Sequence, residues 1–339
     1  MPLRKKVIIM KDKRLEEIAL RVCSKTDSSK TDIGMEDAIY LVASPLFELL
    51  FWANLIRERF KGKSIDTCSI INAKSGKCPE DCKFCAQSAH YKTDVPQYPL
   101  VDREKVTESA HSARASKHFG IVTSGRSLKQ NEIKKVCEMI EAIKTDTSTC
   151  ASLGRLTPDY ASQLKSAGLV RYHHNLETGE TFFAKICTTH TYKERIESIE
   201  IAKQTGLEVC SGGIFGVGEG WSERIELAFK LRELEVDSIP LNFLNPVSGT
   251  PLGQLERLTP FEALRIIAIF RFIHPKRDIK IGGGREVTLR DLQGWMYYAG
   301  ANSIMIGNYL TTLGRPPEED MRLIEDFGLY VYSIPHKLT

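Results

Sequence analysis

The stretch Cys78-Pro79-Glu80-Asp81-Cys82-Lys83-Phe84-Cys85 places three cysteines within eight residues, shortly after the β-branched run Ile65–Ile71. A short apolar run of this kind is typical of a buried strand. Seven similar runs follow along the chain: Phe119–Thr123, Thr147–Leu153, Val170–Asn175, Glu208–Ile214, Ser238–Phe243, Ile279–Gly282 and Ser303–Ile306. Amphipathic helical segments lie between them, so strands and helices are expected to alternate over most of the chain.

This alternation predicts an α/β fold, a (β/α)8 TIM-type barrel with extra N-terminal helices and a short C-terminal extension. We expect the N-terminal helical extension over residues 1–60, the barrel over residues 61–315 and the C-terminal extension over residues 316–339. No segment is rich enough in Gly, Ser or Pro to divide the chain into two separate domains.

Local signals mark several helix boundaries. The capping-box spacing occurs in three pairs: Thr191 with Glu194, Thr259 with Glu262, and Thr288 with Asp291. A proline follows Thr157 and Thr259, which suits the first turn of a helix. Gly168 and Gly206 are expected just past the ends of helices.

Composition excludes several classes of protein. The 339-residue chain is 42% hydrophobic and 27% charged, which is typical of a globular protein and not of a disordered one. Its net charge of +4 argues against a dedicated nucleic-acid-binding protein. No apolar run approaches the ~18 residues of a membrane span. Nine cysteines, an odd number, and an N-terminal apolar run too short for a signal peptide favour a reducing compartment, and we expect the cytoplasm.

The three cysteines predict a metal site. In a barrel, the loop after the first strand lies at the C-terminal face, where active sites are built. Thiolates from Cys78, Cys82 and Cys85 suit three irons of a [4Fe–4S] cluster, which leaves the fourth iron open for a ligand. Zinc is the alternative, but zinc sites usually combine two cysteine pairs, and no second pair is present.

The C-x3-C-x2-C loop resembles that of the radical S-adenosylmethionine superfamily, and the longer string from Cys78 to Ser88 resembles biotin synthases in particular. Six further motifs resemble that family in order and spacing: Tyr172–Thr178, Cys210–Gly213, Pro240–Leu244, Gly249–Leu252, Gly283–Glu286 and Gly300–Ser303. The resemblance implies that the open iron binds S-adenosylmethionine. It also implies that an electron from flavodoxin or ferredoxin generates a 5′-deoxyadenosyl radical, and that sulfur is inserted into dethiobiotin. A homodimer is expected.

The resemblance implies five positions that hold S-adenosylmethionine: Phe84, Asn175, Glu177, Arg195 and Ile214. Asn175 and Glu177 have the same parity on the predicted fourth strand, so both are expected to face one side. The guanidinium of Arg195 suits the methionine carboxylate, although a helix-surface arginine is the ordinary alternative. Phe84 matches an aromatic residue beside the adenine, and Ile214 is equally compatible with core packing.

Two positions are implied to contact the substrate. Asn242 matches a residue that hydrogen-bonds the ureido ring of dethiobiotin, and a structural hydrogen bond is the alternative for a buried Asn. His173 stands where the family has an asparagine near the same ring. It is expected to donate a hydrogen bond or to ligate metal, unless it is an ordinary core histidine.

The chain departs from the family at the second, auxiliary cluster, a [2Fe–2S] centre held by three cysteines and an arginine. Cys150 and Cys210 match two of these ligands, whereas Gly120 and Lys280 replace the other two. Cys187 is expected to supply a third thiolate, for a different auxiliary cluster of uncertain type, unless it packs as a small hydrophobic residue. The remaining cysteines are expected to have structural roles: Cys23, Cys68 and Cys137.

Two other functions compete with sulfur insertion. A radical S-adenosylmethionine isomerase or lyase that has lost the auxiliary cluster would perform no sulfur transfer. A non-enzymatic iron–sulfur carrier or sensor would not need the S-adenosylmethionine positions, which are retained here.

Overall fold

The computed structural model describes residues 12–24, 33–145 and 147–331. The basic N-terminal run and the last eight residues of the predicted C-terminal extension lie outside this part of the chain. The strands are β1 (Ser64–Lys74), β2 (His118–Thr123), β3 (Ser148–Ser152), β4 (Arg171–His173), β5 (Glu208–Cys210), β6 (Gly213–Phe215), β7 (Ser238–Phe243), β8 (Asp278–Ile281), β9 (Ser303–Met305) and β10 (Tyr330–Val331). The helices are α1 (Lys13–Ser24), α2 (Met35–Ala43), α3 (Leu46–Lys61), α4 (Arg103–Ser112), α5 (Gln130–Ile143), α6 (Pro158–Ala167), α7 (Glu180–Ile186), α8 (Tyr192–Gln204), α9 (Trp221–Glu233), α10 (Pro260–Ile273), α11 (Arg285–Leu289), α12 (Trp295–Tyr298) and α13 (Pro317–Asp326).

Strands β1 to β9 form a closed parallel barrel, which confirms the predicted fold. The barrel closes where β1 pairs with β9, with Asp66 opposite Ser303. Its fifth position is shared by β5 and β6, so the single strand predicted over Glu208–Ile214 is in fact two short ones. Gly212 stands at the break, where a Cβ atom would lie 2.0 Å from the Pro240 carbonyl oxygen. Only a glycine allows β7 to approach the backbone this closely.

The N-terminal helices cover one side of the barrel. Helix α3 packs against α10 and against α1, and α2 packs against α9 and α10. Because α10 is covered by α3 as well as by the barrel, almost every residue from Leu264 to Ile273 is buried, and the helix is apolar all round. The predicted helices before residue 60 are therefore present over the described residues.

The C-terminal segment is tied to the barrel at two places. Strand β10 pairs in parallel with the first residues of β1, with Tyr330 opposite Ser64. Helix α13 carries Asp320, whose carboxylate lies 2.6 Å from Arg285 of α11. Both side chains are fully buried.

Most of the predicted helix boundaries are confirmed. Thr157 caps α6, Thr191 forms a complete capping box with Glu194, and Gly168 ends α6 in the left-handed conformation. The predicted capping box of Thr288 with Asp291 is wrong. Helix α11 begins after Gly284, so Thr288 lies inside it and is buried. The positive φ of Gly284 starts the helix four residues earlier than the Thr signal suggested.

None of the helices described is both long enough and apolar enough to cross a membrane.

Candidate active site

A cavity of about 450 Å³ lies at the carboxyl ends of the barrel strands. Its wall combines inward-facing strand residues with residues of the loops that follow β1, β2, β3, β4, β7, β8 and β9. This volume is within the range of small-molecule sites. All the sequence-predicted site residues except Cys187 line this one cavity: Cys78, Cys82, Phe84, Cys85, Cys150, His173, Asn175, Glu177, Arg195, Cys210, Ile214 and Asn242.

Backbone hydrogen bonds hold the three-cysteine loop in a compact turn. Cys78 donates its N–H to the Gln87 carbonyl at 3.1 Å and accepts from Ala89 N at 2.7 Å. Cys85 N–H donates to the Cys82 carbonyl at 2.9 Å. The loop therefore presents three thiols to one space without help from a metal, which fits a [4Fe–4S] cluster with three protein ligands.

Burial raises the pKa of the Cys78 and Cys85 thiols, that of Cys85 to about 11. Thiols in such surroundings stay protonated until a cation arrives, because the isolated thiolate is poorly solvated. Iron binding therefore has to displace these protons, as at other thiolate sites.

Cys187 lies beside the first cysteine group and not in the barrel interior. Its Sγ is 3.7 Å from Cys82 Sγ and 3.3 Å from His190 Nδ1. The prediction that Cys187 joins Cys150 and Cys210 is therefore wrong. The chain between β4 and Cys187 forms helix α7, which carries Cys187 above the strand ends to the level of the triad loop.

The contact with Cys82 changes the acidity of Cys187. Cys82 donates a hydrogen bond to Cys187 and His190 donates another, and together they outweigh burial and lower the pKa of Cys187. The ligand atoms of Cys82, Cys187 and His190 all lie within 4.8 Å of one another. A fourth sulfur thus stands within reach of the first cluster site.

Three polar side chains form one connected group above the fourth and fifth strands. Asn175 Nδ2 donates to Glu177 Oε2 at 3.3 Å, and its Oδ1 accepts from Gly212 N at 3.1 Å. Arg195 Nη1 donates to the Asn175 carbonyl at 2.7 Å and lies 3.6 Å from Glu177 Oε1. Arg195 is only 8% exposed, which excludes the alternative of a helix-surface arginine.

The route by which Asn175 and Glu177 come together differs from the prediction. Strand β4 ends at His173, so the expected shared strand parity does not apply. Glu177 instead adopts a left-handed conformation with φ 73°, while its N–H donates to Gly212 and its carbonyl accepts from Ile214. Such a conformation is unfavourable for a non-glycine residue and is often found at functional sites.

Phe84 and Ile214 form the apolar part of the wall. Both pack against a small cluster made by Phe182, Ile186, Val217 and Leu244, which is separate from the main core. This flat apolar surface lies beside the polar group of Asn175, Glu177 and Arg195, so the cavity can receive a ligand that has both a ring and charged groups.

Both ends of the Asn242 side chain are bonded to backbone. Its Oδ1 accepts from Gly283 N at 2.9 Å and its Nδ2 donates to the Gly213 carbonyl at 3.2 Å. Asn242 therefore makes the structural hydrogen bonds that were the alternative to a ligand contact, and it also lines the cavity. An amide oxygen has two lone pairs and the NH2 group has two donors, so capacity for a ligand remains.

A second group of thiols lies among the inward-facing strand residues. Cys150 on β3 and Cys210 on β5 are fully buried, and His173 Nδ1 lies 3.4 Å from Cys210 Sγ. Sequence reasoning missed Cys68 on β1, which lines the same cavity. Strand parity alone did not reveal it, because the register that sets Ile70 opposite Gly120, and so turns Cys68 inward with Ile70, is seen only in the folded barrel.

Lys280 and Arg171 make this second group positively charged. Lys280 Nζ is 3.7 Å from Cys210 Sγ, and Arg171 holds Glu208 through two hydrogen bonds of 2.7 and 2.9 Å. Burial raises the pKa of Cys210, but Lys280 and His173 outweigh it and lower that pKa to about 6. The Cys210 thiolate in turn outweighs burial and holds the pKa of Lys280 above its usual range. A protonated lysine has no lone pair for iron, so the family's arginine ligand has no equivalent here.

Comparison with known proteins identifies the family. A model of the radical SAM superfamily matches residues 73–231, and a model of the Biotin and Thiamin Synthesis associated domain matches residues 240–330. The biotin synthase of Geobacter sulfurreducens is 49% identical over 321 residues, which cover 93% of this chain and 97% of the relative. That of Geotalea daltonii is 50% identical over 310 residues, 89% and 94% of the two chains.

The chain belongs to the biotin synthase family. It is therefore a radical S-adenosylmethionine enzyme, and the cofactors of the family are a [4Fe–4S] cluster, S-adenosylmethionine and an auxiliary iron–sulfur cluster. Membership does not favour an isomerase or lyase without sulfur transfer.

Solved structures support the fold alone, because their sequence identity is low. Methylornithine synthase superimposes with a TM-score of 0.81 at 18% identity, covering 93% of this chain and 97% of its own. HydG, a maturase of the [FeFe]-hydrogenase, gives 0.81 at 16% identity and covers 95% and 76% of the two chains.

Proposed function

We propose that this enzyme inserts sulfur into dethiobiotin to form biotin by a radical mechanism. One observation carries the proposal within the family: the triad, the polar group of Asn175, Glu177 and Arg195, and the second set of thiols all line one cavity. A radical formed at the triad can therefore meet a substrate that also borders a sulfur source, with no passage through solvent.

Cys78, Cys82 and Cys85 hold the [4Fe–4S] cluster in this proposal. When bound, the cluster and S-adenosylmethionine supply a 5′-deoxyadenosyl radical that removes hydrogen from unactivated carbons of dethiobiotin. The chain's own contribution is to present three sulfurs from one rigid turn, which leaves one iron open, and to enclose the reacting groups in a largely apolar cavity.

Arg195, Asn175 and Glu177 bind the polar parts of S-adenosylmethionine. The Arg195 guanidinium is held by the Asn175 carbonyl, which leaves other N–H groups to meet the methionine carboxylate. The carboxylate of Glu177 suits the ribose hydroxyls or the amino group, both of which donate hydrogen bonds. Phe84 and Ile214 provide the apolar surface against which the adenine stacks.

Asn242 and His173 orient dethiobiotin from the strands below. Asn242 is fixed by the backbone of β6 and of the loop after β8, so its remaining hydrogen-bonding positions are aimed with little loss of entropy on binding. His173 lines the same cavity and lies 3.4 Å from Cys210 Sγ, so it can donate to the substrate's ureido oxygen or to a sulfur.

The partners of the enzyme follow from the same chemistry. Reductive cleavage of S-adenosylmethionine takes one electron, which a flavodoxin or ferredoxin delivers. We infer a cytoplasmic homodimer with neither a nucleic-acid nor a membrane partner. The support for the cytoplasm is the number of thiols that must stay reduced, since all nine cysteines are free.

Deuterium transfer tests whether dethiobiotin reacts in this cavity. With dethiobiotin deuterated at the two carbons that become bonded to sulfur, we expect deuterium in the 5′-deoxyadenosine that the reconstituted enzyme forms anaerobically with S-adenosylmethionine and a reductant. Mass spectrometry of the nucleoside measures the transfer. Deuterium-free 5′-deoxyadenosine, formed at the same rate with and without dethiobiotin, would show that this molecule is not the substrate.

A further inference from the structure

We propose that Cys68 on β1 is the third thiolate ligand of the auxiliary iron–sulfur site, with Cys150 and Cys210 as the other two. The proposal rests on the proposed function, and it replaces the earlier assignment of Cys68 to packing and of Cys187 to this site. It also accounts for the loss of the family's ligand at Gly120.

The strand register brings the three thiols into one space. Cys68, Cys150 and Cys210 stand on the first, third and fifth strands of the closed barrel, and all three line the cavity. On β1, Cys68 and Ile70 both face inward, as expected for residues two apart. The ladder then runs from Ile70 to Gly120 and from Gly120 to Cys150. Cys68 is thus an inward-facing cysteine of β1, two residues before Ile70, which lies opposite Gly120. It can therefore supply the thiol that Gly120 lacks.

Gly120 places no side chain of β2 between β1 and β3. A Cβ atom at Gly120 would lie 3.1 Å from Ile70 Cγ2 and 3.8 Å from Cys150 Cβ. The glycine thus removes a side chain from the strand that separates β1 from β3, and the cavity-lining side chains nearest to its position are Ile70 and Cys150. Cys68 and Cys150 line this part of the cavity together with Gly120.

Positive groups compensate the charge of three thiolates in this buried place. Lys280 Nζ lies 3.7 Å from Cys210 Sγ, and Lys280 lines the same cavity as Cys68 and Cys150. Arg171 lines the same cavity, and its ion pair with Glu208 keeps the guanidinium in place. Buried thiolates without such partners would be strongly unfavourable. Hydrogen bonds from Lys280 and His173 to sulfur would also tune the reduction potential of the bound cluster.

The two other cysteines that are expected from the sequence to have structural roles lie in different surroundings from Cys68. Cys23 and Cys137 lie on helices α1 and α5, are only partly buried, and do not line the cavity. Cys68 is 4% exposed and stands in the barrel wall opposite Met305. Cys68 lines the same cavity as two other buried thiols and the two cations Lys280 and Arg171. A packing role alone does not explain this arrangement.

Iron and sulfide content after anaerobic reconstitution test the assignment. We expect the parent enzyme and the control Cys137→Ala to bind more iron and sulfide than one [4Fe–4S] cluster contains. Cys68→Ala should lose the excess, and Cys150→Ala should lose the same amount. Both variants should keep the visible absorption of the first cluster and the cleavage of S-adenosylmethionine. The double variant Cys68→Ala/Gly120→Cys moves the thiol back to β2, and recovery of the lost iron there supports the proposal.

Two results would overturn it. One is parental iron, sulfide and visible spectrum in Cys68→Ala, which would leave Cys68 as packing only. The other is a parent enzyme that binds no iron beyond the first cluster. Failure of the proposed function is distinguishable, because the loss of iron in Cys68→Ala is measured without dethiobiotin and does not depend on biotin being formed.

Discussion

Replacement of Cys85 by alanine is expected to abolish the cleavage of S-adenosylmethionine. Cys85 is one of three sulfurs that the triad loop presents, and its backbone is already fixed by the bond to the Cys82 carbonyl. In the part of the chain that the structure describes, the extra thiol beside the triad is Cys187, which contacts Cys82. Formation of 5′-deoxyadenosine by the anaerobically reconstituted variant, measured by chromatography, should fall to background.

Cys137→Ala is the matched control, because that thiol lies on α5 away from the cavity. It should cleave S-adenosylmethionine like the parent. Cys82→Ala is less decisive by itself, since Cys187 Sγ lies 3.7 Å from the sulfur that is removed. Any residual cleavage in Cys82→Ala should disappear in Cys82→Ala/Cys187→Ala. Parental 5′-deoxyadenosine formation by Cys85→Ala would contradict the cluster assignment.

The largest loss of stability is expected from Asp320→Ala. Asp320 and Arg285 form an ion pair with an N–O distance of 2.6 Å, and neither side chain is exposed. Removal of the carboxylate leaves the buried Arg285 guanidinium without its main counter-charge, although Glu286 remains 3.4 Å away. Loss of one partner of a buried pair typically lowers the free energy of unfolding by ~3–5 kcal/mol.

The midpoint of urea unfolding, followed by circular dichroism, measures this effect. Glu318→Ala on the same helix is the control, because that side chain is exposed and surface substitutions usually change stability by less than ~0.5 kcal/mol. Asp320→Asn should lie between the two, since it keeps a hydrogen-bond acceptor for Arg285 but not the charge. Equal midpoints for Asp320→Ala and Glu318→Ala would show that α13 does not stabilise the barrel through this pair.

The barrel could be predicted because its signals are local. Strand runs, capping residues such as Thr157 and Thr191, and the helix-ending Gly168 each act within a few residues. The interrupted fifth strand was not predictable in the same way. It depends on the close approach of Gly212 to Pro240, two residues that are distant in sequence.

The triad was predictable from spacing, whereas the second group of thiols was not. Cys187 follows the fourth strand in sequence, but α7 carries it to Cys82. Cys68 was assigned to packing, although it faces Cys150 and Cys210 across the barrel. Which cysteines share a space depends on the register of the closed sheet, and no single stretch of sequence contains that register.

Some motifs that resemble the family prove to be structural. Within Gly300–Ser303, the carbonyl of Gly300 accepts from Arg271 Nε at 2.8 Å, and Asn302 Oδ1 accepts from Arg271 Nη2 at 2.6 Å. Arg271 is fully buried in α10 and donates to further carbonyls of the loop before β8. Motifs of this kind identify the family because they stabilise its fold, and not because they contact the ligand.

Formation of biotin from isotopically labelled sulfide tests the central claim most directly. The enzyme is reconstituted anaerobically with iron and ³⁴S-sulfide, freed of unbound sulfide, and mixed with dethiobiotin, S-adenosylmethionine and a reductant. We expect biotin that carries the label, because the residues proposed to bind dethiobiotin line the same cavity as the buried thiols and the triad. Formation of 5′-deoxyadenosine without any biotin would contradict sulfur insertion, and unlabelled biotin would contradict a protein-bound sulfur source.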